Sequence, residues 1–232
     1  MVIALVLSGG TGSRLGADIP KQYLRVQGRP VLLYCMKTLH ESPVIDAVQI
    51  VAAKEWQEEI SGWLEAYGLA EKFRGFSLPG ENRQLSIFHG LTDIRRYAEE
   101  DDLVLIHDAA RPLLPQKLIT DCAEAIEGHD GVLPVLPMKD TVYFSEDGRQ
   151  ITSLLDRQAV FAGQAPELFR LGTYYQANER LLPEEILRIN GSTEPAVLAG
   201  MQIAMVPGDE RNFKITTPAD LERFRQIVEN EA

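Results

Sequence analysis

Short apolar runs alternate with helix-period segments along the first 135 residues, and that alternation admits very few folds. Ile3-Ala4-Leu5-Val6-Leu7 is a nearly continuous apolar run, as expected of a strand buried on both faces. Pro30 stands where a helix would begin, with Val31, Leu32, Tyr34, Cys35 and Leu39 forming its apolar side. Val48-Gln49-Ile50-Val51 reads as a second strand, followed by a helix over about 55–67. A third strand ends near Leu78 and a third helix covers 84–98. Leu103-Val104-Leu105-Ile106 is a fourth strand, 118–126 a fourth helix and 132–135 a fifth strand. Such βαβα order implies an α/β protein with a mostly parallel sheet, right-handed crossovers and helices on both faces. Ligands of these sheets bind beyond the carboxyl ends of the strands, so chemistry is sought in the residues just after each one.

Residues 140–157 break the rhythm. Asp140-Thr141-Val142-Tyr143-Phe144 and Ile151-Thr152-Ser153-Leu154-Leu155 flank the turn Glu146-Asp147-Gly148-Arg149. A lone two-stranded hairpin is marginal in water, so this arm is expected to pack on something, such as a second subunit. Beyond it, 203–206 reads as a strand and Asn212-Phe213-Lys214-Ile215 as another. Thr217-Pro218-Ala219-Asp220 opens a last helix, with Thr217 as its cap, Pro218 first and Asp220 in the first turn. With no linker or repeat, residues 1–232 read as a single domain.

Charge narrows the partners. The chain carries a formal net charge of -11, which opposes nucleic acid and anionic membranes as partners. A small anionic ligand remains open wherever basic residues gather. Cys35 and Cys122 form no C-x-x-C pair and fall on helical stretches, so they read as buried free thiols of a reducing cytoplasm. The opening residues lack a basic segment and Gly9-Gly10 cuts the apolar run short, so neither a secretory signal nor a membrane span is expected.

Directly after the first strand comes Leu7-Ser8-Gly9-Gly10-Thr11-Gly12-Ser13-Arg14-Leu15-Gly16, then Pro20-Lys21. Closely spaced glycines let backbone N–H groups approach a polyphosphate, and Arg14 and Lys21 add positive charge beside them. A Walker loop would need Gly-Lys-Ser/Thr, whereas Ala17-Asp18 follows Gly16. The dinucleotide fingerprint fails too, because Gly10, Gly12 and Gly16 give G-x-G-x-x-x-G.

Gly9-Gly10-x-Gly12-x-Arg14-x-Gly16 with Pro20-Lys21-Gln22-Tyr23 resembles the opening of the IspD-type cytidylyltransferases. That family includes methylerythritol-phosphate cytidylyltransferases of isoprenoid synthesis and ribitol-5-phosphate enzymes of teichoic acid synthesis. The likeness continues in order through Gly80-Glu81-Asn82-Arg83-x-x-Ser86, His107-Asp108-Ala109-Ala110-Arg111-Pro112, Asp140-Thr141, Asp156-Arg157 and Asn212-Phe213-Lys214-Ile215-Thr216-Thr217-Pro218. It implies a Rossmann-like three-layer nucleotidyltransferase fold with a protruding β-hairpin arm. It also implies transfer of the cytidylyl group of CTP to a sugar-alcohol phosphate, with release of pyrophosphate.

The same resemblance distributes the roles. Ser8, Gly9, Gly10, Thr11 and Gly12, with Gly80, Glu81, Arg83 and Ser86, would hold CTP, the second loop reading cytosine and ribose. Arg14, Lys21 and Lys214 would stabilise charge in the transition state, and Mg2+ would ride mainly on the CTP phosphates, with no protein metal ligand assigned. Asp108 and Arg111 would orient the acceptor, while Thr141 and Arg157 would reach the acceptor phosphate in a neighbouring subunit's site, making a homodimer. Each has a plainer reading as surface lysine, local ion pair or hairpin surface. His107 reads as structural, because a phosphate monoester needs no general base.

Three departures from the family pattern stand out. Its Thr-Asp-Asp/Glu-Ala-like stretch is replaced by Asn190-Gly191-Ser192-Thr193-Glu194-Pro195-Ala196, where a gap would let Thr193-Glu194 stand in. Its Thr-Pro-Gln is Ala165-Pro166-Glu167, and Arg211 stands where several relatives have Asp. These bear on the acceptor, for which 2-C-methyl-D-erythritol 4-phosphate ranks ahead of ribitol 5-phosphate. A glycosyltransferase would need a D-x-D after a central strand, and Asp108-Ala109-Ala110-Arg111 supplies none. A CTP-binding paralogue without turnover is the non-enzymatic rival.

Overall fold

Both faces of β1 (Val2–Leu7) are covered, and Ile3, Ala4, Leu5 and Val6 are fully buried. The computed structural model describes residues 1–10 and 19–231. After β1 come a short hairpin, β2 (Arg25–Val26) and β3 (Arg29–Pro30), then α1 (Leu32–Glu41), β4 (Ala47–Val51), α2 (Lys54–Ala66), β5 (Phe73–Ser77) and α3 (Arg83–Ile94). β6 (Leu103–Asp108), α4 (Gln116–Ala125) and β7 (Gly131–Pro137) follow, and β8 (Val142–Phe144) with β9 (Ser153–Leu155) forms a separate antiparallel arm. The chain returns through β10 (Phe161–Gly163), β11 (Glu167–Arg170), α5 (Leu171–Glu179), α6 (Glu194–Leu198), β12 (Ile203–Pro207) and α7 (Pro218–Asn230).

The main sheet runs β10-β7-β11-β6-β1-β4-β5, with β12 on the other side of β7. β6, β1, β4 and β5 are parallel, as the alternation of the sequence requires. Side chains alternate across the sheet, which makes the three layers. Ala4 and Val6 of β1 join the core under α1, α2 and α4, while Ile3 and Leu5 join the core under α3, α5 and α6. Burying each such aliphatic side chain contributes roughly 1.5–3 kcal/mol. A third cluster pins α7, through Leu221 and Phe224, to Val26, Val31 and Ile215.

The strands and helices expected from the alternation up to residue 135 are all present, and two expectations along the chain are corrected. Pro30 does not open a helix: it lies in β3, where Val31 N–H bonds Leu24 O, and α1 starts at Leu32. Residues 212–215 are not a strand. They run as coil: Asn212 points inward to donate to Ala165 O at 2.7 Å, its N–H turns back to Asp209 O, and Ile215 N–H bonds Ala110 O, which makes no ladder. The final helix starts as expected: Thr217 Oγ1 accepts from Asp220 N–H and Asp220 Oδ2 accepts from Thr217 N–H, a reciprocal capping box. Among the described residues, no helix is long and apolar enough to cross a membrane.

Candidate active site

A cavity of about 570 Å³ opens beyond the carboxyl ends of β1, β4 and β6. Leu7, Gly9 and Gly10 line it after β1, Gly80, Glu81, Asn82, Arg83 and Ser86 after β5, and Asp108 and Ala110 from the end of β6. Lys21, Lys214 and Thr216 complete the wall. A groove of similar size, about 630 Å³, lies between α4 and β12, but Asp121, Glu124 and Asp209 line it and its Lys117 is bound to Asp121 at 2.6 Å. Its charge repels phosphate, so the first cavity is the candidate.

The first loop is held from below. Gln22 Nε2 donates to Ser8 O at 2.7 Å and to Gly10 O at 2.8 Å, and Tyr23 Oη donates to Ser8 O at 2.9 Å. The Ser8 hydroxyl is turned away from the cavity, donating to Tyr23 Oη at 3.0 Å. Gly9 is required by close approach, since a Cβ there would lie 2.6 Å from Pro79 Cβ. Thr11, Gly12 and Arg14 lie outside the described residues. Gln22 and Tyr23 thus fix the backbone of the first loop. Within Pro20-Lys21-Gln22-Tyr23 the resemblance assigns a role only to Lys21.

The second loop is a capped helix start. Asn82 Oδ1 accepts from Leu85 N–H at 2.8 Å, and its Nδ2 donates to Ile186 O at 2.9 Å. Ser86 Oγ accepts from Gly80 N–H at 2.9 Å and donates to Asn82 O at 2.7 Å, which shapes the loop around the cavity. Asn82, unassigned from the sequence, is therefore its organising residue; an Asn just before an apolar-periodic run was the available signal.

Asp108 is the electrostatic centre. Its Oδ1 accepts from Arg83 Nε at 3.1 Å, and its Oδ2 lies 3.0 Å from Lys214 Nζ and 3.5 Å from Arg111 Nε. Burial alone would raise this carboxyl, but Arg83, then Lys214 and Arg111, hold it well below the usual carboxylate range. Arg111 also donates from Nη1 to Asn212 O at 2.7 Å, which ties the end of β6 to the lysine segment. Arg83 Nη1 reaches Ser192 Oγ at 2.6 Å. His107, fully buried, meets Arg111 O through Nε2 at 3.0 Å, and burial lowers its pKa to about 4. It is neutral near pH 7 and engaged with backbone, in keeping with a structural role.

The arm residues are elsewhere. Thr141 and Arg157 share a shallow groove with Leu154, Leu155 and Asp156, and Arg157 Nη1 donates to Lys139 O at 2.7 Å. Neither lines the cavity of its own chain. In the 190–194 stretch, Glu194 Oε2 accepts from Asn190 N–H, while Ser192 and Thr193 face Arg83 and Glu167. Arg211 pairs with Glu231 on the surface. Among the described residues, no group of three His, Cys, Asp or Glu side chains is placed to hold a metal ion.

With this geometry in hand, comparisons with known proteins converge. The family model for IspD, 2-C-methyl-D-erythritol 4-phosphate cytidylyltransferase, matches residues 2–230. The 2-C-methyl-D-erythritol 4-phosphate cytidylyltransferase of Geotalea uraniireducens is 35% identical over 99% of this chain and 99% of its own. A ribitol-5-phosphate cytidylyltransferase of Streptococcus agalactiae is 28% identical over 99% of this chain and 95% of its own. The crystal structure of 4-diphosphocytidyl-2C-methyl-D-erythritol synthase from Anaerococcus prevotii superposes with a TM-score of 0.83, at 25% identity, over 98% of this chain and 96% of that one.

Proposed function

The chain belongs to the IspD family of cytidylyltransferases, and from that premise we propose that it transfers the cytidylyl group of CTP to 2-C-methyl-D-erythritol 4-phosphate, releasing pyrophosphate. The carrying observation is the convergence of Lys21, Lys214 and Arg83 with the Gly9–Gly10 backbone on one cavity, in a chain whose net charge is -11. Cations gathered against the overall charge mark a polyphosphate site.

An acceptor phosphate oxygen attacks the α-phosphorus of CTP, and the bond from that phosphorus to the leaving pyrophosphate breaks. A phosphate monoester has a second pKa of about 6, so the nucleophile is already charged near neutrality and no general base is required. Buried, neutral His107 fits that account, bonded as it is to Arg111 O. What the reaction needs is positive charge, because two anions must meet and negative charge builds on the leaving oxygens. Lys21 and Lys214, with Arg14 outside the described residues, supply it in this reading. Gly9, Gly10, Gly80, Glu81, Arg83 and Ser86, which line the cavity, hold the nucleotide, and Asp108, also a lining residue, orients the acceptor with Arg111 3.5 Å from its Oδ2.

Mg2+ would be brought by the nucleotide. The described residues form no metal cage, and Asp108, at the centre of the cavity's charges, is engaged by three cations. The ion's fit is therefore to CTP phosphate oxygens, where it would neutralise charge. The arm supports a homodimer: Tyr143, Phe144, Ile151 and Leu154 are about half or more exposed on a three-residue-per-strand hairpin, apolar surface that a second copy would cover. Thr141 and Arg157 would then be delivered to the partner's cavity.

Pyrophosphate release with CTP and Mg2+ tests the reading, comparing 2-C-methyl-D-erythritol 4-phosphate, ribitol 5-phosphate and no acceptor. Release with the first acceptor alone is expected. Release only with the second would move the chain to the ribitol-phosphate branch, and release with neither would refute transfer to either.

A further inference from the structure

Glu167 is buried, only 7% exposed, on β11 opposite Ile106, one residue before the His107–Asp108 end of β6. A carboxylate so placed needs partners. Thr193 Oγ1 donates to its Oε2 at 3.3 Å, and the neighbouring Ser192 hydroxyl favours its charged form. Ser192, 2% exposed, is the same residue that accepts from Arg83 Nη1 at 2.6 Å. A serine hydroxyl has one proton. With a guanidinium donating to its oxygen, that proton is free to go to Glu167. The result is a continuous run from Asp108 to Arg83 to Ser192 to Glu167, with a carboxylate at each end and the guanidinium between.

We infer that Glu167 is a positioning residue for nucleotide binding, fixing Arg83 across the cavity wall through Ser192 and setting the pose of the 190–194 segment. This rests on the proposed cytidylyl transfer. Arg83 has its Nε on Asp108 at 3.1 Å and its Nη1 on Ser192, so its rotamer is defined from both sides only while Ser192 is itself oriented. Glu167 orients it. Glu167 also acts electrostatically on Arg83 and Arg111, two of the three cations that share Asp108. Burial raises its pKa, and Arg83 followed by the Ser192 hydroxyl counters that rise. Glu167 does not itself line the cavity, so its effect is indirect.

The test uses the full chain and the variants Glu167→Gln, Ser192→Ala and the double variant, measured for thermal melting, CTP binding with Mg2+ by calorimetry, and steady-state kinetics. Each single variant is expected to raise KM and Kd for CTP about tenfold, the size of one hydrogen bond to a charged group. kcat stays within about twofold, because a binding pose is lost rather than a contact made only in the transition state. The double variant should be no worse than the worse single, since both act through one relay. Wild-type KM in Glu167→Gln, or single losses that multiply in the double variant, overturns the inference; a purely structural Glu167 would lower the melting temperature without the KM shift. Should Glu167→Gln fail to fold, Ser192→Ala answers alone: unchanged KM there removes the relay. A wild type that binds no CTP overturns the reading of the cavity itself, whereas a CTP-binding wild type with unaffected variants overturns only the role of Glu167.

Discussion

Replacing Asp108 by Asn keeps the side chain's volume and one acceptor oxygen while removing the charge that three cations share. Arg83 Nε lies at 3.1 Å, Lys214 Nζ at 3.0 Å and Arg111 Nε at 3.5 Å, around a side chain only 9% exposed. Removing one partner of a buried ion pair costs about 3–5 kcal/mol, because the remaining charge is left uncompensated. Lys214 is 34% exposed and keeps much of its hydration, so its share is discounted to about 0–1 kcal/mol. The arginines carry the rest, and the retained amide oxygen places the total near the lower bound, about 3 kcal/mol. For a chain of this size that corresponds to a melting temperature lower by about 6–12 °C. The assay is calorimetry at pH 7 and low salt without nucleotide, repeated with CTP and Mg2+. Phosphates would replace the missing negative charge, so the variant should gain more from nucleotide than the wild type does. The pH profile follows from the same contacts. The folded carboxyl is held below its unfolded value of about 3.9, so its contribution is present above that pH and lost progressively as pH falls below about 4. Asp108→Asn should flatten that acid limb. Melting within about 2 °C of wild type, well short of the 6–12 °C expected, would refute the claim that Asp108 offsets three cations.

Lys21→Ala and Lys214→Ala should each lower kcat by about 10²–10³, corresponding to about 2.7–4 kcal/mol of barrier, in the pyrophosphate-release assay. Unchanged rates would remove both from the charge-stabilising role. Cys35 and Cys122 are buried free thiols whose pKa values burial pushes up to about 12. A thiol reagent at pH 8 should therefore label them only as fast as the protein opens, and immediate labelling without denaturant would contradict that burial. Leu154→Asp places a charge on the exposed apolar face of the arm, where the side chain is 65% exposed. Light scattering should show a monomer with the melting temperature little changed, and an unaltered dimer would put the interface elsewhere.

The parallel half of the sheet was legible because β1, β4 and β6 are buried on both faces and so read as unbroken apolar runs. β11 was not. It is four residues long, antiparallel, and inserted between β6 and β7, and its first residue is a buried glutamate that sequence reading counts as polar. The 212–215 segment misled in the opposite direction. Phe213 and Ile215 alternate like a strand, yet they pack toward α7, and Asn212 bonds through its side chain and carbonyl rather than in a ladder. In the site, Gly9, Gly10, Lys21 and Lys214, which line the cavity, could be picked out through the resemblance because each sits in a local motif. The partners were not: Arg83 reaches Asp108 across 25 positions and Ser192 across 109, and no local pattern encodes contacts that distant.

Those distant contacts explain how an acidic chain can keep a cationic cavity before any nucleotide arrives. Arg83, Arg111 and Lys214 come from three separate segments and would repel one another if they met without a counter-charge. Asp108, at the end of β6, holds them together, and Ser192 takes a further hydrogen bond from Arg83. The balance still leaves the cations in excess over Asp108 alone, which is the condition for an anionic ligand to be drawn in. Lys214, the most exposed of the three, is bound to Asp108 by a single contact, whereas Arg111 is also anchored to Asn212 O and Arg83 to Ser192. Exchange of that one contact for a phosphate oxygen costs the least of the three. The lysine from the C-terminal segment is therefore the cation the cavity can hand to the substrate, while the two arginines keep Asp108 charged and in place.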